Sequence, residues 1–184
     1  MKLTKTLITT AALMASVSTA TLAADDDKKF DGVYMGAEVG IDWTKLATDA
    51  SRDKSLYYGG VLGFRRQMDS GLVMGIEGTF GDTGYKNEAT GAHANHEWSA
   101  GLTLGSAFGA DGANLIYGKA AFVRTRFDAS SAADDSYNDD GWRFGGGYER
   151  ALNENVSFRL GADYTTYGKD KNGWAAKSGL LVKF

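Results

Sequence analysis

Two histidines and a serine are the first residues whose types and spacing suggest chemistry. His93 and His96 are the histidines of the chain, and Glu97 and Ser99 follow closely. A histidine base, a carboxylate and a serine nucleophile are the parts of an acyl-transfer site. However, His96 and Ser99 lie three residues apart in a segment that alternates like a strand, so their side chains should face opposite ways. With His93 expected in a loop, we predict no enzyme, no catalytic residue and no cofactor.

A cluster of carboxylates is the second candidate. The stretch DASSAADDSYNDD, residues 128–140, contains Asp128, Asp134, Asp135, Asp139 and Asp140. Such carboxylates are able to bind Ca²⁺, or to bridge lipopolysaccharide phosphates through divalent ions. Their spacing matches no defined metal-binding loop. We therefore predict a solvated loop and no metal site.

The elements that must position these residues are strands. Apolar and polar residues alternate with a period of two, which indicates strands with two different faces. The pattern predicts an all-β fold. Alternation alone does not separate a soluble, lipocalin-like barrel, which buries its apolar face, from an eight-stranded antiparallel up-and-down transmembrane β-barrel, which exposes that face to lipid; we predict the transmembrane barrel from further features of the two faces. An even number of strands closes the sheet and removes its edges, as a lipid environment requires. The segments lie near residues 33–43, 55–67, 72–81, 96–109, 115–127, 141–150, 156–167 and 173–184.

The start of the chain and its composition narrow the class of protein. Residues 1–23 combine two lysines, a short apolar core and a small-residue cleavage site, which predicts a signal peptide followed by one barrel domain, residues 24–184. The leader contains no acidic residue, so its removal would change the net charge from −3 to about −5. This balance argues against a nucleic-acid partner. The chain has no cysteine, so no disulfide is available.

Three features predict that the apolar face meets lipid and the charged face lines the lumen, the space enclosed by the barrel. Aromatic residues concentrate near the strand ends, short links near 68–71, 110–114 and 151–155 alternate with longer polar ones, and the charged face is rich in glycine. The acidic and basic lumen residues also balance in number, as buried charges require. The predicted lumen charge network comprises Glu38, Asp42, Arg65, Glu77, Glu97, Lys119, Arg143, Glu149, Arg159, Asp163 and Lys177, with Lys183 near its end.

The fifth segment has the least clear facing. Placing Ile116 and Phe122 outward puts Lys119 in the lumen but also turns Arg124 and Arg126 outward. A cation on a lipid face costs about 2–4 kcal/mol at mid-bilayer and about 0–1 kcal/mol near the interface. Because the arginines lie near the end of the segment, we predict the phase that faces Lys119 inward.

The last eight residues, KSGLLVKF, carry a family resemblance. Lys177, Gly179, Val182 and Phe184 resemble the C-terminal assembly signal of outer-membrane proteins. Together with GVYMGAEVG (32–40) and GGVLGFRRQMDSGLVMGIEGTFG (59–81), they make residues 32–184 similar to the small eight-stranded outer-membrane β-barrels of the OmpA and OmpX type and to opacity-type surface proteins. The resemblance implies the cell outer membrane, contact with its lipid and lipopolysaccharide, and biogenesis through the β-barrel assembly machinery and periplasmic chaperones.

The predicted function is a structural, surface-exposed barrel with long extracellular loops in a Gram-negative envelope. A small porin-like channel is the alternative, because the lumen is charged; we expect the side chains to fill it instead. Lipid A-modifying enzymes share the eight-stranded barrel and form the third class. The sequence identifies no host or surface ligand of the loops.

Overall fold

Eight antiparallel strands make up nearly all of the described chain. The computed structural model describes residues 28–45, 53–83, 93–128, 136–167 and 171–184. Within these ranges no helix is long and apolar enough to cross a membrane. The predicted leader, residues 1–23, lies outside the described residues. The strands are β1 (Gly32–Lys45), β2 (Asp53–Gln67), β3 (Leu72–Thr83), β4 (His93–Phe108), β5 (Asn114–Asp128), β6 (Ser136–Ala151), β7 (Val156–Tyr167) and β8 (Lys171–Lys183).

The sheet closes on itself. Each strand pairs with the next along the chain, and β1 pairs with β8 from Tyr34 opposite Lys183 to Lys45 opposite Asn172. Past the end of β8, the backbone N–H of Phe184 still donates to the carbonyl of Val33 at 2.9 Å. The predicted closed eight-stranded barrel is confirmed.

The two faces of the barrel differ as the alternation predicts. Large apolar side chains face outward, with Leu102 67% and Ile116 61% exposed, whereas Glu149 on the inner face is 0% exposed. The predicted facing of the fifth strand is also confirmed. Ile116 is exposed, and the Lys119 side chain retains only 8% of its accessible surface.

Short turns join the strands at one end of the barrel, which we call the turn end. Gly71, with φ of 82°, closes the β2–β3 turn by donating its N–H to the carbonyl of Met68 at 2.9 Å. In the β4–β5 turn, Gly109 and Gly112 also have positive φ, a conformation that favours glycine. Asn153 caps the β6–β7 turn by accepting the N–H of Val156 at 2.8 Å. The opposite end, where the longer connections lie, is the loop end.

The strands at the loop end are longer than predicted. His93 begins β4 and is not in a loop, Asp128 is the last residue of β5, and Asp139 and Asp140 belong to β6. The backbone ladder between β5 and β6 continues to Asp128 opposite Ser136, although apolar and polar residues no longer alternate in this part of the sequence. Asp134 and Asp135 lie outside the described residues. Among the residues that are described, no group of three or more carboxylates or imidazoles is placed to hold a metal ion.

Candidate functional site in the lumen

The predicted lumen charges all lie on the inner face of the barrel. Asp42, the member nearest the loop end, is half-buried, and the Lys119 side chain is 8% accessible. The others are buried, at 8% exposure or less: Glu38, Arg65, Glu77, Glu97, Arg143, Glu149, Arg159, Asp163 and Lys177.

Glycines opposite the charges make room for them. Glu38 lies between Gly59 on β2 and Gly179 on β8. A Cβ atom on Gly179 would lie 2.9 Å from Cγ of Glu38, closer than real Cβ atoms approach a neighbour. Asp163 on β7 likewise faces Gly145 on β6. The glycine-rich inner face thus accommodates long charged side chains in a narrow barrel.

Glu149 is the centre of the turn-end cluster, which we define as Glu38, Arg65, Glu77, Glu149 and Arg159. Both terminal nitrogens of Arg65 donate to its carboxylate, at 2.9 and 2.8 Å, in a bidentate pair. Ser157 donates at 2.6 Å and Nε of Arg159 at 3.1 Å. Both carboxylate oxygens are therefore satisfied by charged or hydroxyl donors, as a fully buried carboxylate requires.

Arg159 connects the remaining members of the turn-end cluster. Its Nη1 donates to Oε2 of Glu77 at 2.5 Å and lies 3.6 Å from Oε1 of Glu38. The Tyr34 hydroxyl donates to the same Glu77 oxygen at 2.7 Å. One guanidinium is thus shared by three carboxylates from β1, β3 and β6.

Aromatic rings alternate with the two arginines. The Arg65 guanidinium lies 5.0 Å from the ring centre of Phe30 and 4.5 Å from that of Tyr34. Arg159 lies 5.4 Å from the Tyr34 ring and 4.8 Å from the Tyr117 ring. Cation–π attraction of this kind is strongest where water is excluded. The rings and the two guanidinium groups thus form one continuous stack at the turn end.

The loop-end cluster, defined as Glu97, Lys119, Arg143, Asp163 and Lys177, is more loosely paired. Lys119 and Lys177 share Oδ2 of Asp163, at 3.1 and 3.5 Å. Arg143 contacts Glu97 through one nitrogen, at 2.7 Å, and donates its Nε to Thr165 at 2.9 Å. At 3.9 Å from Glu77, Lys119 links this cluster to the turn-end cluster.

Hydroxyl groups and rings complete the loop-end half. Thr79 and Ser99 hydrogen-bond at 2.7 Å, and Lys177 lies 3.7 Å from the ring centre of Tyr57. In the turn-end half a cavity of about 10 Å³ is lined by Arg65, Tyr117 and their neighbours. That volume accommodates about one water molecule.

The candidate catalytic residues are separated by the barrel wall. His96 lies on the outer face, where its ring is 5.7 Å from that of Phe80, while Ser99 is buried in the lumen. The expectation that they face opposite ways is confirmed. The His93 side chain lies outside the described residues.

The four residues of the predicted assembly signal divide between the two faces. Lys177 and Gly179 belong to the lumen, where they contact Asp163 and make room for Glu38. Val182 and Phe184 lie on the outer face, and Phe184 is 46% exposed.

Phe30 and Asp31 are the lumen residues that the sequence did not indicate. They precede β1, yet they are 0% and 1% exposed. A single aromatic ahead of the first alternating segment carries no periodic signal. The nearest indication that this segment enters the lumen is Tyr34 near the start of β1, which alternation places on the inner face.

Comparisons with known proteins agree with this architecture. Residues 9–184 match the family described as outer membrane protein beta-barrel domain. None of the curated proteins compared with the chain has a matching sequence.

Three solved structures illustrate the likeness of fold. Neisserial surface protein A is 17% identical, with a TM-score of 0.63, over 84% of this chain and 98% of that one. Ail, the attachment invasion locus protein of Yersinia pestis, is 16% identical, with a TM-score of 0.57, over 84% and 99%. The Pseudomonas aeruginosa outer membrane protein OprG is 16% identical, with a TM-score of 0.51, over 87% and 99%. The inward charges, the outward apolar face and the family match lead to one conclusion: the chain belongs to the outer membrane protein beta-barrel domain family and resides in the outer membrane.

Proposed function

We propose that the protein is a closed envelope barrel that stabilises the outer membrane and presents its loop end to the exterior, and that it is not an open channel. The bidentate pair between Arg65 and Glu149 carries this proposal, because it crosses the lumen between β2 and β6. In such barrels short turns face the periplasm and long loops the exterior. The turn end is accordingly the periplasmic end.

The energy of the turn-end cluster supports a closed lumen. A pore through it would require Arg65 and Arg159 to leave Glu149, to which they donate at 2.8–3.1 Å. Even the removal of one partner of a buried ion pair by substitution costs about 3–5 kcal/mol, because the other charge stays buried without compensation. The cavity of about 10 Å³ beside Arg65 is too small for a hydrated ion.

Solute uptake by vesicles tests the proposal. Liposomes containing the refolded protein are transferred into isotonic glycine, and swelling is followed by light scattering. We expect no swelling above that of empty liposomes. The control is an Arg65→Ala/Glu149→Ala variant, which removes the bulk of the crossing pair and should admit glycine if it folds. Rapid swelling with the unaltered protein would favour the channel alternative.

Surface presentation is supported by the loop-end strand extensions. On the outer face Arg124 donates to both oxygens of Asp140, at 2.6 and 2.8 Å, which ties β5 to β6 near the loop end. The relatives of similar fold include one described as a surface protein and one as an attachment invasion protein.

Trimming tests the surface role. Replacing residues 129–135 by a short turn should leave a heat-modifiable barrel in the membrane. Adhesion of the expressing cells to an epithelial monolayer should fall to the level of the empty vector. Unchanged adhesion above that level would contradict a role for this connection.

A catalytic role is not proposed, because the wall of the barrel separates His96 from Ser99. Lipid A extracted from cells expressing the unaltered protein should match that of vector-only cells by mass spectrometry. A modification that disappears in a His96→Ala variant would reverse this conclusion.

We also propose that Phe184 acts as part of an assembly signal read by the β-barrel assembly machinery after delivery by periplasmic chaperones. Phe108 provides a matched control, since it is another outward aromatic at the turn end, 48% exposed beside 46% for Phe184. Phe184→Ala should slow assembly in cells but not refolding in detergent. Equal assembly of Phe184→Ala and Phe108→Ala would contradict the signal.

A further inference from the structure

A four-residue segment precedes β1 at the turn end of the barrel. We call Lys28, Lys29, Phe30 and Asp31 the N-terminal plug. It lies outside the strands, yet Phe30 and Asp31 are completely or almost completely buried. The Phe30 ring packs against Val73, Leu115 and Tyr117 on β3 and β5. This cluster lies directly beside the turn-end charges, because the same ring stacks on Arg65.

Side chains, rather than a strand ladder, hold the plug in place. The backbone N–H of Phe30 donates to Oε1 of Gln67 at 2.9 Å, and the N–H of Gln67 donates to Oδ1 of Asp31 at 2.8 Å. These reciprocal bonds fix the plug to the last residue of β2.

Two further contacts attach the beginning of the plug to the rim. Nζ of Lys28 lies 2.7 Å from Asp69 in the β2–β3 turn, and Nζ of Lys183 donates to the Lys28 carbonyl at 3.0 Å. Asp69 is 95% exposed and the Lys28 side chain 22% exposed, so water reaches this ion pair from the Asp69 side. The plug therefore combines a buried ring with a solvated and easily broken attachment.

We propose that the N-terminal plug is a periplasmic stopper, which detaches without unfolding the barrel and controls access of water to the turn-end cluster. The strand ladder, including the closing pair of β1 and β8, does not pass through the plug, so its release leaves the ladder intact. Removal of the Phe30 ring uncovers Val73, Leu115 and one side of Arg65 to the periplasmic space.

Thiol labelling tests this directly, because the chain contains no cysteine. Leu115→Cys places one thiol beneath the plug. In protein refolded into lipid vesicles, its reaction with a membrane-impermeant methanethiosulfonate reagent is timed alone and combined with Phe30→Ala. We expect labelling at least tenfold faster with Phe30→Ala. The control is Leu152→Ala, which removes an exposed apolar side chain of the β6–β7 turn, at the same end of the barrel but outside the plug, and should leave the rate unchanged.

The outcomes separate the plug from the proposed function. Equal labelling rates with and without Phe30 would overturn the stopper. If Phe30→Ala does not give a heat-modifiable barrel, the milder Gln67→Ala variant decides. A Gln67→Ala barrel that folds and is labelled faster supports detachment of the plug, and any other result contradicts it. Swelling of vesicles by the unaltered protein would instead contradict the closed lumen, whatever the labelling rates.

Discussion

The turn-end and loop-end clusters contain similar residues but are built differently. Around Glu149, two arginines and a serine converge at 2.6–3.1 Å, and rings of Phe30 and Tyr34 enclose Arg65. Around Asp163, two lysines approach a single oxygen at 3.1 and 3.5 Å. The planar guanidinium forms paired bonds and stacks on rings, whereas an ammonium acts as a compact point charge.

The difference indicates which half closes the barrel. Arg65 and Arg159 are bound on several sides, so each would lose several contacts at once if the turn-end cluster opened. Lys119 and Lys177 instead approach Asp163 through single contacts, at 3.1 and 3.5 Å. We infer that the turn end is the rigid half of the lumen and that the loop end tolerates rearrangement.

Neutralising Glu149 should have the largest effect. Glu149→Gln leaves Arg65 and Arg159 without their shared anion, and breaking a buried pair costs about 3–5 kcal/mol. The free energy of unfolding in urea should fall by that amount, measured by tryptophan fluorescence of protein refolded in vesicles. Glu154→Gln, in the exposed β6–β7 turn, is the control. Equal effects of the two substitutions would contradict the turn-end assignment.

The corresponding change at the loop end should cost less. Asp163→Asn keeps the shape of the side chain and removes the charge shared by Lys119 and Lys177. A hydrogen bond to a charged group contributes about 1.5–3 kcal/mol, and Lys119 retains Glu77. The same urea titration should therefore give a smaller loss than Glu149→Gln. A larger loss would reverse the order of the two clusters.

Replacing a glycine by alanine should lower the free energy of unfolding on the lumen face and raise it on the outer face. A Cβ on Gly63 would overlap the Tyr34 ring of the turn-end stack, whereas one on Gly118 meets no atom closer than 3.8 Å. Overpacking costs about 1–3 kcal/mol, so Gly63→Ala should destabilise the barrel. Gly118→Ala should raise the free energy of unfolding by about 0.5–1 kcal/mol, the usual gain over glycine within a strand. Two losses of similar size would contradict the predicted facing.

The smallest effect is expected at the rim of the turn end. The hydrogen bond from Lys28 lowers the pKa of Asp69, which lies in a water-exposed turn outside the membrane. A lowered folded-state pKa gives stability that is present above the ordinary value, about 3.9, and is lost as the pH falls through the folded value.

Comparing the unaltered protein with Asp69→Asn at several pH values checks this. Their small difference in unfolding free energy at neutral pH should vanish in acid and shrink in high salt. A difference that grows as the pH falls would have the wrong sign for this contact.

Strand count and facing were predictable because each depends on local alternation. In β5 alternation left two possible facings, and the cost of placing Lys119 in the middle of the bilayer selected the correct one, with Ile116 outward. Partner choice was not predictable. Arg65 and Glu149 are separated by 84 residues, and their meeting depends on the stagger of all strands around the barrel.

Two other features could not be predicted from the sequence, for physical reasons. The ends of β5 and β6 extend past the segments in which apolar and polar residues alternate in the sequence. The pair of Arg124 and Asp140 became recognisable only once the register placed them opposite each other. Phe30 is buried by contacts with β2, β3 and β5, which leave no mark on the residues around it in the sequence.

Ion current through planar bilayers is the most direct test of the central statement that paired charges seal the lumen. The refolded protein, prepared without residues 1–23, should insert without producing discrete current steps, while the Arg65→Ala/Glu149→Ala variant, if folded, should produce them. Regular unitary currents from the unaltered protein would contradict the account.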